Sequence, residues 1–129
     1  MRDILVPVSV GELIDKITIL RIKQRKIGDE AKRRNVETEL RALTAVCEQH
    51  RIDLASADVR ELERINDVLW VIEDDIRDKE RAQAFDAEFV RLARAVYVEN
   101  DERAAIKRRI NVKLGSNIVE EKSYASYKL

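Results

Sequence analysis

Apolar residues recur at helical spacing along most of the chain, and the breaks in that spacing divide it into four segments. Ser9 followed three residues later by Glu12 is a capping-box pattern, so a helix starts at Val10 and runs to about Ile27. Gly11 in its first turn works against it by up to about 1 kcal/mol. Gly28 and Asp29 break the phase. Val36, Leu40, Leu43 and Cys47 then define a second helix over about 30–50 with Asp29 as its N-cap, the alternative being one kinked helix over 10–50. A connection at 50–58 comes next, with Ser56 or Asp58 as the cap of a third helix, about 57–81. Leu62, Ile65, Leu69, Ile72 and Ile76 repeat through it at 3-4-3-4 spacing. The fourth starts near Phe85 or Asp86. Phe89, Leu92, Val96, Ile106, Ile110 and Leu114 hold one phase to Gly115, a natural C′ residue, with a kink at Asn100-Asp101 as the alternative.

The two ends read differently. "ILVPVSV" is β-branched, and Pro7 pushes Val6 out of helical conformation, so an extended arm or edge strand is expected at about 3–8. The stretch from Asn117 onward has no helical pattern; Ile118 and Val119 are expected to pair with the arm, and the final residues to be mobile. The fold class is therefore all-α: a single domain of about four helices in long antiparallel hairpins, bundle-like, with an arm (1–9), a helical body (10–115) and a mostly irregular tail (116–129).

The first helix is apolar on two sides. At about 100° per residue, Val10, Leu13, Ile14, Ile17, Leu20 and Ile27 share one arc, whereas Ile19 and Ile22 fall outside it beside Glu12, Asp15 and Lys26. Such a helix lies between other helices or meets another chain. The reading favoured from sequence is a homodimer, with Asp15, Ile19 and Ile22 at the interface.

Composition narrows the class. Of 129 residues, 45% are hydrophobic and 39% charged, against a charged share of about 25% in ordinary domains; with three Gly and one Pro, this suits long amphipathic helices rather than disorder. The 25 basic residues balance the 25 acidic ones, which argues against nucleic-acid binding. The single cysteine excludes an intrachain disulfide and fits a reducing, cytoplasmic setting. The N-terminus lacks the features of a signal peptide, and no apolar run approaches the roughly 20 residues of a membrane span.

Candidate chemistry comes from polar residues on apolar faces. Arg103 sits inside the arc of Leu92, Val96, Ile110 and Leu114, and an unpaired buried guanidinium is very costly. Its expected partner is Glu73, on the edge of the third helix's apolar arc with Asn66, Trp70 and Arg77 nearby, or Glu99 one turn earlier. This reads either as a structural network or as a small-anion site built from Glu73, Arg77, Asn100, Arg103 and Lys107, since Arg suits bidentate carboxylate or phosphate recognition. Cys47 and His50 have the spacing of two ligands on one helix face, but a metal needs about four, so no metal and no cofactor is expected. The basic run at 106–113 reads as a solvated face.

Several motifs together resemble a small bacterial family known only as a domain of unknown function: "SVGELIDKITIL", "LW" at 69–70 with "EDDIR" at 73–77, "NDERAAIKRRIN" at 100–111, and "GS" followed by "VEEKSY" at 119–124. The resemblance spans nearly the whole chain and implies a bacterial cytoplasmic protein with no assigned activity, of a kind encoded near glycosyltransferase or surface-polysaccharide genes. It draws attention to Glu12, Asp15 and Lys16 as well as Glu73, Arg77, Asn100, Arg103 and Lys107. A second similarity is confined to one helix: "ELIDKITILRIKQR" resembles the opening helix of all-helical chorismate mutases. That would give Arg21 or Arg25, with Lys32, to a dicarboxylate. The leading function from sequence is a non-catalytic interaction or scaffolding module, with an anion- or sugar-nucleotide-binding protein or enzyme as the rival.

Overall fold

The computed structural model describes residues 2–128, in which four helices succeed one another: α1 (Val10–Lys26), α2 (Glu30–Gln49), α3 (Ala57–Arg81) and α4 (Ala87–Lys113). Each starts at a short polar side chain that accepts a backbone N–H three residues on. Ser9 takes Glu12 N–H at 3.1 Å, Asp29 takes Lys32 N–H at 2.9 Å, Ser56 takes Val59 N–H at 3.3 Å and Asp86 takes Phe89 N–H at 3.0 Å. The first cap is only half of the expected box, because the Glu12 carboxylate turns away to Lys107 at 2.6 Å. With Asp29 capping α2 and extended backbone at Ile27, residues 10–49 form two helices, not one kinked helix. The fourth helix runs unbroken through Asn100, and Gly115 takes the left-handed conformation after it (φ 65°).

The third and fourth helices form a long antiparallel hairpin. Asp58 at the start of α3 binds Arg109 and Lys113 near the end of α4, at 3.0 and 3.4 Å, and Lys79 binds Asp86 at the turn, at 2.9 Å. The first helix lies along the open end of this hairpin. Ile14 is buried there among Val59, Leu62, Ile65, Leu69, Ile106 and Ile110. On its other side α1 receives α2, which packs on α1 alone through Leu13, Ile17 and Cys47, with Leu40 and Leu43 alongside. Each of these aliphatic side chains contributes roughly 1.5–3 kcal/mol by leaving water.

So α1 is two-sided because its own chain covers both sides. Ile22 is 1% exposed and Asp15 is 1% exposed, while Ile19 is partly buried. Asp15 and Ile22, expected at an interface between copies, are buried within the single chain. The double-sided pattern of α1 thus carries no argument for a second copy.

The tail returns to the start of α1, but not as a strand. Ser116 Oγ accepts Val10 N–H at 3.1 Å, the Ser9 hydroxyl donates to Glu120 at 3.2 Å, and Tyr127 lies against Tyr97 with ring centroids 4.9 Å apart. Among the described residues there is no strand, so the pairing of Ile118 and Val119 with the arm does not form; the tail's contacts go to the α1 cap and to α4 instead. The arm itself is extended and exposed.

Gly11 is explained by close approach. Its N–H donates to Asn111 Oδ1 at 2.6 Å, and a Cβ there would lie 2.6 Å from the Lys107 carbonyl oxygen. Helix α4 therefore seats its backbone against α1 at this glycine. Gly11→Ala is expected to destabilise the protein by about 1–3 kcal/mol despite Ala's better helix propensity. Gly28→Ala, with nothing within 4 Å of the added methyl, is expected to change stability by less than about 0.5 kcal/mol. Urea unfolding of the two variants makes the comparison, and equal stabilities would refute the close-approach account.

Candidate functional site: a buried carboxylate–guanidinium clamp and the groove beside it

Asp15 carries a charge that is 1% exposed, and α3 and α4 supply the partners of its carboxylate. Arg103 of α4 binds it through both sides of the guanidinium fork, with Nε 2.9 Å from Oδ1 and Nη2 on Oδ2. Asn66 of α3 donates from Nδ2 to the same Oδ1 at 2.8 Å and to Thr18 Oγ1 at 2.9 Å, while the Thr18 hydroxyl donates to the Asp15 carbonyl at 2.8 Å. Asn100 accepts from Arg103 Nη1 at 3.3 Å. Bidentate pairing of this kind is among the stronger charge-assisted arrangements. The hydrogen bonds to Asp15 hold the Arg103 guanidinium above its ordinary pKa, against the opposing effect of burial.

A second ionic layer sits one turn away. Lys107 reaches Glu12 at 2.6 Å, with Asp15 at 3.9 Å and Glu120 of the tail at 3.7 Å. The positions 11 with 111, 12 with 107 and 15 with 103 are thus matched across α1 and α4, as two antiparallel helices require.

The expected partners of Arg103 are corrected. Glu73 does not reach it; Glu73 instead pairs with Arg77 one turn on, at the surface. Glu99 makes no bond to it among the described residues. Arg103 faces α1, so its acid has to come from another segment of the chain. The signal is present in Asp15, an acid on an apolar face, but sequence reasoning assigns that side of α1 to another copy.

Of the anion-site candidates, Glu73, Arg77, Asn100 and Arg103 do come together, along an open groove of about 420 Å³ where α1, α3 and α4 meet. Lys107 does not join them. It lines a smaller cavity of about 90 Å³ on the other side of Arg103, closed by Glu120. Neither set is a free cationic cluster, since Arg103 and Lys107 are bound to Asp15 and Glu12. Arg21 and Arg25 both bind Glu63, at 3.4 and 3.2 Å, and the groove they line does not include Lys32.

Sequence reasoning does not single out Thr18 or Asn111, two fully buried polar residues that complete these networks. Thr18 reads as an ordinary helix position. Asn111 comes after Ile110 at the end of an apolar series, and only its buried place opposite a glycine shows its use.

Such an arrangement defines a helical bundle clamped by a buried ion pair. The chain belongs to DUF6165, a family of unknown function, whose model matches residues 4–128. No curated protein and no solved structure matches it.

Cys47 is fully buried and its thiol pKa is raised, chiefly by burial, whereas His50 is exposed at the end of α2. Among the described residues no group of three His, Cys, Asp or Glu is placed to hold a metal ion. Native Cys47 is expected to react with Ellman's reagent on the order of 100-fold more slowly than in denaturant. Equal rates would show that α2 does not cover it.

Proposed function

We propose that the chain is a non-catalytic helical interaction module. Its polar interior holds helices together and performs no chemistry. The setting implied by the family resemblance is the bacterial cytoplasm, alongside the glycosyltransferases of surface-polysaccharide assembly. The observation that carries this reading is the pairing of Arg103 with Asp15 and of Lys107 with Glu12. Arg103 and Lys107 are two of the five residues that sequence offers for ligand chemistry, and both are bound across α1 and α4. Exposed apolar surface includes the arm, where Ile4, Leu5, Val6 and Val8 are all exposed and Leu5 is 92% so. Aliphatic side chains left in water on an extended backbone suit contact with another protein.

The structural role of the clamp is tested by its parts. Arg103→Leu leaves a buried carboxylate unpaired and is expected to cost about 3–5 kcal/mol, whereas Asp15→Leu with Arg103→Leu recovers much of that loss, because removing both charges removes the desolvation penalty. Chemical denaturation measures both. A single Arg103→Leu variant as stable as the parent, or more stable, would show that Arg103 is held in place for a ligand and would overturn the reading. Replacing Ile4, Leu5 and Val6 by Ser is expected to leave the melting temperature within about 2 °C. A larger fall would place the arm in the fold rather than at a partner.

A further inference from the structure

The groove beside the clamp has hydrogen-bonding capacity that the fold does not use. Asn66 is 6% exposed and spends both amide N–H groups on Asp15 and Thr18, yet its Oδ1 accepts no bond among the described residues, and Asn66 lines the groove. Set in the groove lining and unbonded within the described chain, this acceptor is free to take a donor that a ligand brings. Arg103 has five N–H donors. Three are committed to Asp15 and Asn100, which leaves two, and the side chain is 29% exposed. Asn100 lends its oxygen to Arg103, and its own amide donors have no acceptor among the described residues. Trp70, half-buried, lines the same groove with the apolar Ile19 and Leu69.

Charge decides what kind of ligand fits. Arg103 is cancelled by Asp15 and Arg77 by Glu73, and the remaining charge on the lining is the carboxylate of Asp74. With no spare cation and one spare anion, the groove does not favour phosphates or carboxylates. Its volume of about 420 Å³ falls in the range of small-ligand sites. The fitting ligand is neutral, carries many alternating donors and acceptors, and has one apolar face for an indole. A pyranose ring has this combination.

We infer that the groove binds a neutral saccharide, with a C–H face of one ring against Trp70 and hydroxyls shared among Asn66 Oδ1, Arg103 and Asn100. Binding of this kind adds a ligand to the interaction-module reading and needs no reaction. It rests on the groove and not on the arm or the energetics of the clamp, so the two readings fail separately.

Trp70 is the single tryptophan, so intrinsic fluorescence reports on the groove directly. The full chain is titrated with maltotriose, cellotriose, mannotriose and triacetylchitotriose, and with UDP and pyrophosphate as anionic probes. The expected result is a saturable change with at least one trisaccharide, weakened about tenfold or more by Asn100→Ala, which removes one hydrogen-bonding side chain and its support of Arg103. Calorimetry on Trp70→Ala, checked for helicity by circular dichroism, is expected to show the same trisaccharide no longer bound. Absence of saturation by any trisaccharide up to about 10 mM overturns the inference. Binding of UDP or pyrophosphate alone overturns it in favour of an anion site, and trisaccharide binding that survives Trp70→Ala overturns it by placing the ligand elsewhere.

Discussion

The register of α1 against the hairpin depends on one buried carboxylate. Asp15 sits where α1 crosses the α3–α4 hairpin, and it is satisfied only when α4 offers Arg103 and α3 offers Asn66 at the same height. Aliphatic surfaces alone tolerate sliding by a turn, since Ile, Leu and Val give similar burial in neighbouring registers. A charge does not. One turn of displacement would leave a carboxylate and a guanidinium unpaired in the interior, at a cost of several kcal/mol. The matched pairs 11–111, 12–107 and 15–103 show that register carried along the whole contact. Gly11 belongs to the same constraint, because the α4 backbone comes close enough for Asp15 and Arg103 to meet only where α1 has no side chain in the way.

Legibility in the sequence tracks the range of the interaction. The caps at Ser9, Asp29 and Asp86, the break at Gly28 and the glycine after α4 are local chemistry, and the helix ends fall within a residue or two of where those signals put them. The faces of the helices are also legible, because periodicity is local. Arg103 stands out as misplaced for that reason. Its partner does not, since the choice among Glu73, Glu99 and Asp15 depends on how α1 lies on the hairpin, and no property of either helix alone contains that angle. Ile22 shows the same limit. Its apolar side is visible, but whether a helix of the same chain or of another covers it is a question of tertiary arrangement.

Placing α1 at the centre makes the molecule uneven. The first helix touches each of the others, whereas α2 touches α1 only and buries little beyond Val36 and Cys47. Toward its turn, where Lys79 binds Asp86, the hairpin leaves Phe85 and Val90 exposed. Local stability should therefore fall from the clamp outward, since opening free energy tracks buried apolar contact. On α2 and on the distal hairpin, i,i+3 and i,i+4 pairs such as Arg34 with Glu30 and Arg81 with Asp78 give a few tenths of a kcal/mol each.

The same guanidinium links this architecture to the groove. An apolar pair in place of Asp15 and Arg103 would hold α1 to α4 by burial alone, and at comparable volume such exchanges are often neutral or stabilising. It would also remove the Arg103 donors from the groove and release Asn66 and Asn100 from fixed positions, because both amides are oriented by bonds to this pair. Keeping the charges inside thus does two things at once. Three Arg103 donors set the register of the helices, and that setting holds the remaining two, together with the Asn66 oxygen, at fixed points beside Trp70. A binding surface on rigid helices gains specificity when its polar groups are locked by interactions behind it. Here the interactions behind the groove are those that position α1 against the hairpin.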